Sequence, residues 1–418
     1  MLVAFTPHAA TGGATVRFWT MQLSPHHDAY IKGVIADFER QHPGIHVKWV
    51  DVPWAEMEKK TLTAVAAASA RNPPPDVVNL NPQFASKLAE FGALADPERY
   101  LSRDEVAAFL PQVWNANRLD GRAFALPWYL TTNIVLVNQK LLREAKVRVP
   151  ETHDALLDAA RDIRRVTGRY AYFPALDGSI PLETLVAMGA PLLSDDRCRA
   201  GFIDARGARV LSWHQSLYRE NLVPKNVVTE GHRKAVEMFL AGQVAMITSG
   251  MQFLESVRIN NASLYPDVTV APQFGKGQSA PNIAMMNVAV LEASTQKEAA
   301  FRFAAFLTNA KNQTAFAKRV PILPSTSASL DDPFFVASTG DAVLDTARRL
   351  SVAQVREGRI LVPPMRKYNR FRADYARNLQ AVMLNRKSVD TALSDMDRTW
   401  QDLLGCGLVS PRNNRGAQ

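Results

Sequence analysis

The stretch VRFWTMQLSPHHDAYIKGVIADFERQHPGIHVKWV, residues 16–50, decides the fold class. Val16 to Thr20 reads as a short apolar strand. Tyr30, Ile31, Val34, Ile35 and Phe38 then share one face of a helix that Asp28 can cap. Pro43 and Gly44 end that helix. Ile45, Val47 and Trp49 next alternate with His46 and Lys48, the pattern of a half-buried strand. Strands separated by helices imply parallel pairing through helical crossovers, and ligands on such sheets bind beyond the carboxyl ends of the strands.

The pattern continues outward from this segment. A helix over Glu56 to Ala70 is broken by Pro73, Pro74 and Pro75; Val77, Val78 and Leu80 form a strand, and a helix through Leu88 stops near Gly92. After the turn Asp120-Gly121, Ile134 to Val137 make another strand. Thr152 caps a helix bearing Leu156, Ala160 and Ile163, which Gly168 closes. A helix over Arg233 to Ala241 leads through Gly242 to the strand Val244 to Ile247, and Ser249-Gly250 opens a further helix. A late strand covers Ala284 to Leu291, Thr295 with Glu298 matches a capping box, and Asp341 to Leu404 is mostly helical. There is no internal repeat and no low-complexity linker, so several short crossings between two lobes are expected rather than one long tether.

A chain of 418 residues exceeds one ordinary core and suits two. Its 47% apolar and 21% charged content is that of a soluble globular protein, and no run approaches the roughly 18 apolar residues that a membrane span needs. The net charge of +9 is spread along the chain. Its densest stretch, Arg366, Lys367, Arg370 and Arg372, reads as a solvated helix face, and no stripe or module for nucleic acid is present. Cys198 and Cys406, far apart, define no disulfide framework and leave pairing open. The short apolar start Leu2 to Phe5 reads as the tail of a secretory signal or as foreign sequence.

Catalytic and metal motifs fail one by one. His42 and His46 have helical metal-pair spacing, but Pro43 and Gly44 lie between them. His26-His27 lacks a carboxylate or thiolate companion. Gly275, Gly277 and Ala280 mimic a dinucleotide loop, yet Pro281 follows at once and no helix can start there to hold a pyrophosphate. Asp195-Asp196 and Asp331-Asp332 are adjacent pairs in loops, not spaced acid and base. No catalytic residue, metal ligand or cofactor is assigned.

Aromatic and amide residues gather instead at strand ends. Trp19 ends the first strand, Trp54 follows the second, Asn79, Asn81 and Gln83 follow the third, and Trp128-Tyr129 precede Thr131 and Thr132. Each ring taken singly is as well explained by a core; together they suit a sugar, whose C–H faces pack on rings and whose hydroxyls need donors and acceptors.

Four segments carry a family resemblance: residues 38–47, FERQHPGIHV; 121–128, GRAFALPW; 240–250, LAGQVAMITSG; and 297–303, KEAAFRF, leading to Val320-Pro321-Ile322-Leu323-Pro324. In this order the chain resembles the family-one extracellular solute-binding proteins of ABC importers, the group that includes maltose-binding proteins, from about Val16 to Leu404. The resemblance implies a two-lobe periplasmic-binding-protein-like α/β fold of type II, each lobe a mixed sheet flanked by helices, joined by three crossings around a ligand cleft. One lobe takes residues 15–126 plus 285–326, the other 127–284 plus 327–405, with flexible tails at 1–14 and 406–418. The implied ligand-binding residues are Trp19, Gln22, Trp54, Asn81, Trp128, Tyr129, Ser249, Met251, Asn287 and Arg366. The chain departs from the family pattern at Met251, at Met285-Met286-Asn287 and at Val137.

The resemblance also implies a monomer at the periplasmic or extracellular face. It would capture a mono- or oligosaccharide by hinge closure and hand it to transmembrane permease subunits, without cofactor or enzymatic activity. The competing expectations are an anionic solute such as a glycerol phosphate and, further off, a carbohydrate-active enzyme using the same cleft; a polyamine is disfavoured by the positive charge.

Overall fold

The computed structural model describes residues 13–69 and 71–406. Its strands, in chain order, are β1 (Ala14–Met21), β2 (Ile45–Val52), β3 (Val77–Leu80), β4 (Arg118–Leu119), β5 (Arg122–Ala123), β6 (Leu126–Asn138), β7 (Tyr170–Tyr172), β8 (Val244–Gly250), β9 (Val268–Ala271), β10 (Ile283–Val290) and β11 (Leu323–Pro324). The chain divides into two compact units. Unit 1 holds residues 1–130, 285–332 and 364–366; unit 2 holds 131–284, 333–363 and 367–418. Strands β6 and β10 each contribute residues to both.

In unit 1, β1 lies between β2 and β3 and runs parallel to both, in register Ala14↔Ile45 through Met21↔Val52 with β2. β10 pairs antiparallel with β3, Asn287 opposite Leu80. The helix Asp28–Gln41 makes the crossover from β1 to β2 and buries Tyr30, Ile31, Val34 and Phe38. Gly44, at φ +94, supplies the turn that a side chain would strain. Phe18, Phe38 and Phe303 meet edge to face, with 5.1 Å between centroids in each pair made with Phe303. Such contacts add to simple area burial. The turn Asp120-Gly121 joins β4 to β5 as a hairpin.

In unit 2, β6 pairs antiparallel with β8 (Asn133↔Gly250 to Val137↔Met246) and with β9, while β7 runs parallel to β8. Thr152 caps the helix His153–Thr167, accepting from the Ala155 amide, and Gly168 closes it at φ +66. Helices Tyr368–Met383 and Val389–Leu404 pack on each other and on Ala205–Arg219. Phe202 and Phe371 meet Trp400, itself fully buried, and Phe202 also meets Tyr375. Both units are α/β, with sheets flanked by helices.

Several local expectations are corrected. Asp28 is the first residue of its helix, not its cap; His27 stands at the cap without a side-chain bond, and Asp28 accepts from Lys32 instead. The capping box at Thr295 does not form, because the helix begins one residue late, at Lys297, and the Ser294 hydroxyl takes the Gln296 amide. Ser249 and Gly250 end β8 rather than open a helix, which starts at Phe253. The helix expected to run to Ala70 stops at Ala66, and Ala70 lies outside the described residues. Of the expected flexible tails, 1–12 and 407–418 lie outside the described residues, whereas Ala14 opens β1 and Cys406 is bonded to Cys198. His42 stacks on Phe38 at 4.4 Å, and among the described residues no three His, Cys, Asp or Glu side chains converge as metal ligands. No helix among them is long and apolar enough to cross a membrane.

Candidate functional site

Unit 2 contains a cavity of about 250 Å³ at the carboxyl ends of its parallel strands β7 and β8. Tyr172 and Phe173 come from the end of β7, and Thr248, Ser249 and Gly250 from the end of β8. Glu183 is supplied by the helix Ile180–Ala187, His232 by the first turn of His232–Leu240, and Phe253 by the helix that follows β8. Gln273, Phe274, Asn282 and Leu361 complete the wall with Asn133 and His153.

Polar groups on this wall are held in place by one another. The Tyr172 hydroxyl lies 3.0 Å from Thr248 Oγ1, and His232 Nε2 lies 3.1 Å from Ser249 Oγ. The Ser179 hydroxyl donates to Glu183 Oε1 at 2.5 Å. Burial pushes the Glu183 carboxyl above the usual range, an effect that the neighbouring Ser179 and Asn282 side chains oppose. Burial also lowers His232, an effect that Asp177 opposes, and lowers His153 to about 3. Both imidazoles are therefore neutral at pH 7. Rings interleave with these groups: Phe274 meets Tyr172 at 5.5 Å and His153 at 5.6 Å, and Phe253 meets His232 at 5.3 Å. Among the described residues, no Lys or Arg side chain lines the cavity. A wall of neutral donors and acceptors between rings can bind hydroxyls and C–H faces, and it has no cation with which to hold a phosphate.

Among the residues singled out from sequence, Ser249 lines this cavity, and the neighbouring Met251 is buried at 8% exposure. The others lie in unit 1. Trp19 and Tyr129 both pack on a cluster of Met21, Val52, Met57 and Met286. Gln22 and Trp54 are brought together, the Trp54 amide donating to Gln22 Oε1 at 3.3 Å with the indole half exposed. Asn81 serves its own chain, capping the helix Pro82–Glu90 by accepting from the Phe84 amide. Asn287 is fully buried: its Oδ1 accepts from Asn117 Nδ2 at 2.6 Å and its carbonyl from Asn79 Nδ2 at 3.1 Å.

Two of these residues sit where a solute contact is not expected. Trp128 is 0% exposed, stacked on Phe316 at 5.3 Å and edge-on to Phe18 at 6.4 Å, a core ring of unit 1. Arg366 is exposed and ion-paired with Asp120 at 2.6 Å, at the tip of the β4–β5 hairpin. Tyr172, Glu183, His232 and Gln273 were not anticipated. Tyr172 could have been, because the rule that picks Trp19 at the carboxyl end of β1 picks Tyr172 at the end of β7.

Comparison with known proteins follows this geometry. A proposed oligosaccharide periplasmic-binding protein of Synechococcus sp. MITs9220 is 34% identical, with a TM-score of 0.86 over 94% of this chain and 100% of that one. The sugar-binding protein MalE of Xanthomonas citri shares the two-lobe fold at a TM-score of 0.77 and 24% identity, over 94% of this chain and 98% of that one. The diacetylchitobiose binding protein DasA of Streptomyces coelicolor is 22% identical over 325 residues, 76% of this chain and 74% of that protein. The family model described as bacterial extracellular solute-binding protein matches residues 24–314. The chain belongs to the bacterial extracellular solute-binding proteins, a family of binding proteins rather than enzymes.

Proposed function

We propose that this protein is the solute-capturing subunit of an ABC importer, that its solute is an uncharged sugar or related polyol, and that the unit 2 cavity takes part of that solute. The observation that carries the reading is the cavity wall, with Tyr172, Phe173, Phe253 and Phe274 set among Thr248, Ser249, His232 and Gln273 and, among the described residues, no cationic side chain. An anionic solute would leave its charge uncompensated there. The names of relatives agree, among them diacetylchitobiose binding and multiple sugar-binding proteins. In unit 1, Trp19, Trp54 and Tyr129, with Gln22 beside Trp54, are the groups proposed to meet the solute. Units 1 and 2 are proposed as the two lobes, and capture as a hinge closure in which binding shifts a population of arrangements. The permease is the proposed partner, with the protein acting as a monomer outside the cytoplasmic membrane. The Cys198–Cys406 disulfide supports that location, since such bonds persist in oxidising compartments.

A thermal-shift series tests this, with neutral oligosaccharides on one side and sugar phosphates on the other, at low and high salt. A neutral sugar at about 100 times its Kd should stabilise the folded chain by roughly 2.7 kcal/mol. Its affinity should barely respond to salt. Stabilisation by the phosphates alone, weakening as salt rises, would defeat the reading.

A further inference from the structure

Gln273 follows β9 and lines the cavity, yet its side-chain amide is committed within the protein. Oε1 accepts from the Asn282 backbone amide at 3.1 Å, while Nε2 donates to the Asn282 carbonyl at 3.0 Å and to Thr132 Oγ1 at 2.8 Å. A backbone N–H can only donate and a carbonyl can only accept, so the two bonds to Asn282 fix which way the Gln273 amide faces. Both Nε2 hydrogens are used, and the side chain has no N–H to offer a solute. Gln354, buried on the helix Ala342–Glu357, is fixed in the same manner. Its Oε1 accepts from the Gln273 backbone amide at 2.9 Å, and its Nε2 donates to the Asn133 carbonyl at 2.8 Å and to Thr132 Oγ1 at 3.3 Å. The Thr132 hydroxyl donates in turn to the Asn282 carbonyl at 2.9 Å, and Asn282 Oδ1 accepts from the Leu361 amide at 3.1 Å.

The hydroxyl of Thr132 thus uses its one hydrogen and both lone pairs, and both side-chain amides use all their hydrogens, inside unit 2. Thr132 and Asn133 follow the boundary at 130/131, Asn282 precedes the one at 284/285, and Leu361 precedes the one at 363/364. Beside Asn282, the Arg359 amide donates to the Pro281 carbonyl and the Ile283 amide to the Arg359 carbonyl, each at 3.0 Å. Asn133, Asn282 and Leu361 line the cavity together with Gln273. Fully satisfied buried networks specify one geometry, and removing one member leaves the others with unpaired groups.

We propose that Gln273 is a positioning residue and not a solute contact: by holding Asn282 and Thr132 it makes the cavity wall and three of the segments at which the chain leaves unit 2 one hydrogen-bonded body. The inference rests on the reading that the cavity takes solute, and it gives that reading its link from the bound solute to those segments. A solute that presses on Asn133, Asn282 or Leu361 displaces all three segments together, not one alone.

Hydrogen–deuterium exchange on the full chain, without solute, tests the network. Gln273→Met keeps the length of the side chain and removes its bonds. It should raise exchange about tenfold at residues 281–283 and 359–361 together. The Leu361 amide is held by Asn282 and not by Gln273, so the rise at 359–361 is the transmitted effect. The helix Ala205–Arg219 should be unchanged. Thr132→Val, close in shape but without the hydroxyl, should give the same two-segment pattern, whereas Thr132→Ser, which keeps the hydroxyl, should stay near the parent. Should Gln273→Met unfold the chain, the Thr132 pair carries the test. No rise, a rise at 281–283 alone, or one spread evenly over unit 2 overturns the proposal, as does Thr132→Ser matching Thr132→Val. Because no solute is present, such a result leaves the sugar-binding reading standing.

Discussion

Replacing Trp128 with alanine separates a core ring from a solute-facing one. The indole is wholly buried, stacked on Phe316, edge-on to Phe18 and Tyr129, and its Nε1 has no hydrogen-bond partner. Trp128→Ala therefore loses the full burial of a large ring and leaves a cavity among rings fixed by their own packing. The expected cost is about 3–5 kcal/mol. Spread over a unit of this size, that corresponds to a fall in Tm of roughly 6–20 °C. Trp128→Phe keeps the stack on Phe316 and sacrifices no hydrogen bond, so it should cost only about 1–2 kcal/mol. Urea unfolding followed by circular dichroism reads both, with an unchanged m-value showing that the cooperative unit is the same. The folded fraction of either variant should still be stabilised by the solute. An alanine variant that unfolds within about 1 kcal/mol of the parent but no longer responds to solute would refute the reasoning, since the ring would then face the ligand and not the interior.

Acid should weaken unit 2 through its buried histidines, His153 with a pKa lowered to about 3 and His214 to about 4, in both cases chiefly by burial. The unfolded chain takes up protons near 6.5 that the folded one refuses, so stability falls as pH drops below 6.5, by up to ~2.7 kcal/mol per pH unit for the two together. Urea midpoints from pH 7 to 4 check this, and His214→Phe should halve the slope. Glu183 has the opposite sign: its raised folded pKa means that stability present below 4.5 is lost as pH rises through the folded value. Glu183→Gln should thus gain on the parent with increasing pH and show no gain below pH 4. Cys198→Ser should lower stability by about 2–5 kcal/mol, and dithiothreitol should lower the Tm of the parent but not of the variant. Arg366→Ala should cost under about 1 kcal/mol, as expected of an exposed pair with Asp120, and calorimetry should find solute affinity unaltered.

Much of the fold is legible in local pattern because local pattern causes it. The alternation in Ile45–Val52 follows from one buried face, and the stop at Pro43-Gly44 from a missing donor and a positive φ. Errors arise where a neighbouring side chain shifts a helix boundary by a residue. The Thr295 box is spelled correctly, but the helix starts one residue later, at Lys297, while the Ser294 hydroxyl accepts from the Gln296 amide and donates to Asp76. The site is less legible. Ser249 was reachable from its place at the end of β8, and Tyr172 from the same rule. Composition cannot tell Trp128 from Trp54, since one indole is sealed by Phe316, 188 residues further along (316 − 128), and the other is half exposed. Asn282 carries no signature at all, because its partners Thr132 and Leu361 come from distant segments. The two cysteines are the same case: 208 residues separate partners whose Cα atoms lie 5.5 Å apart.

That covalent tie also imposes an order of events. Cys406 follows the helix Val389–Leu404, and Cys198 waits in a loop made 208 residues earlier. During synthesis the early sulfur must stay unpaired until the 208 residues that separate it from its partner have been made. Unit 2, which draws on three separate stretches of chain, is therefore tied only after the helix Val389–Leu404 has been made. Until then its thiols stay open to an oxidase or to a wrong partner.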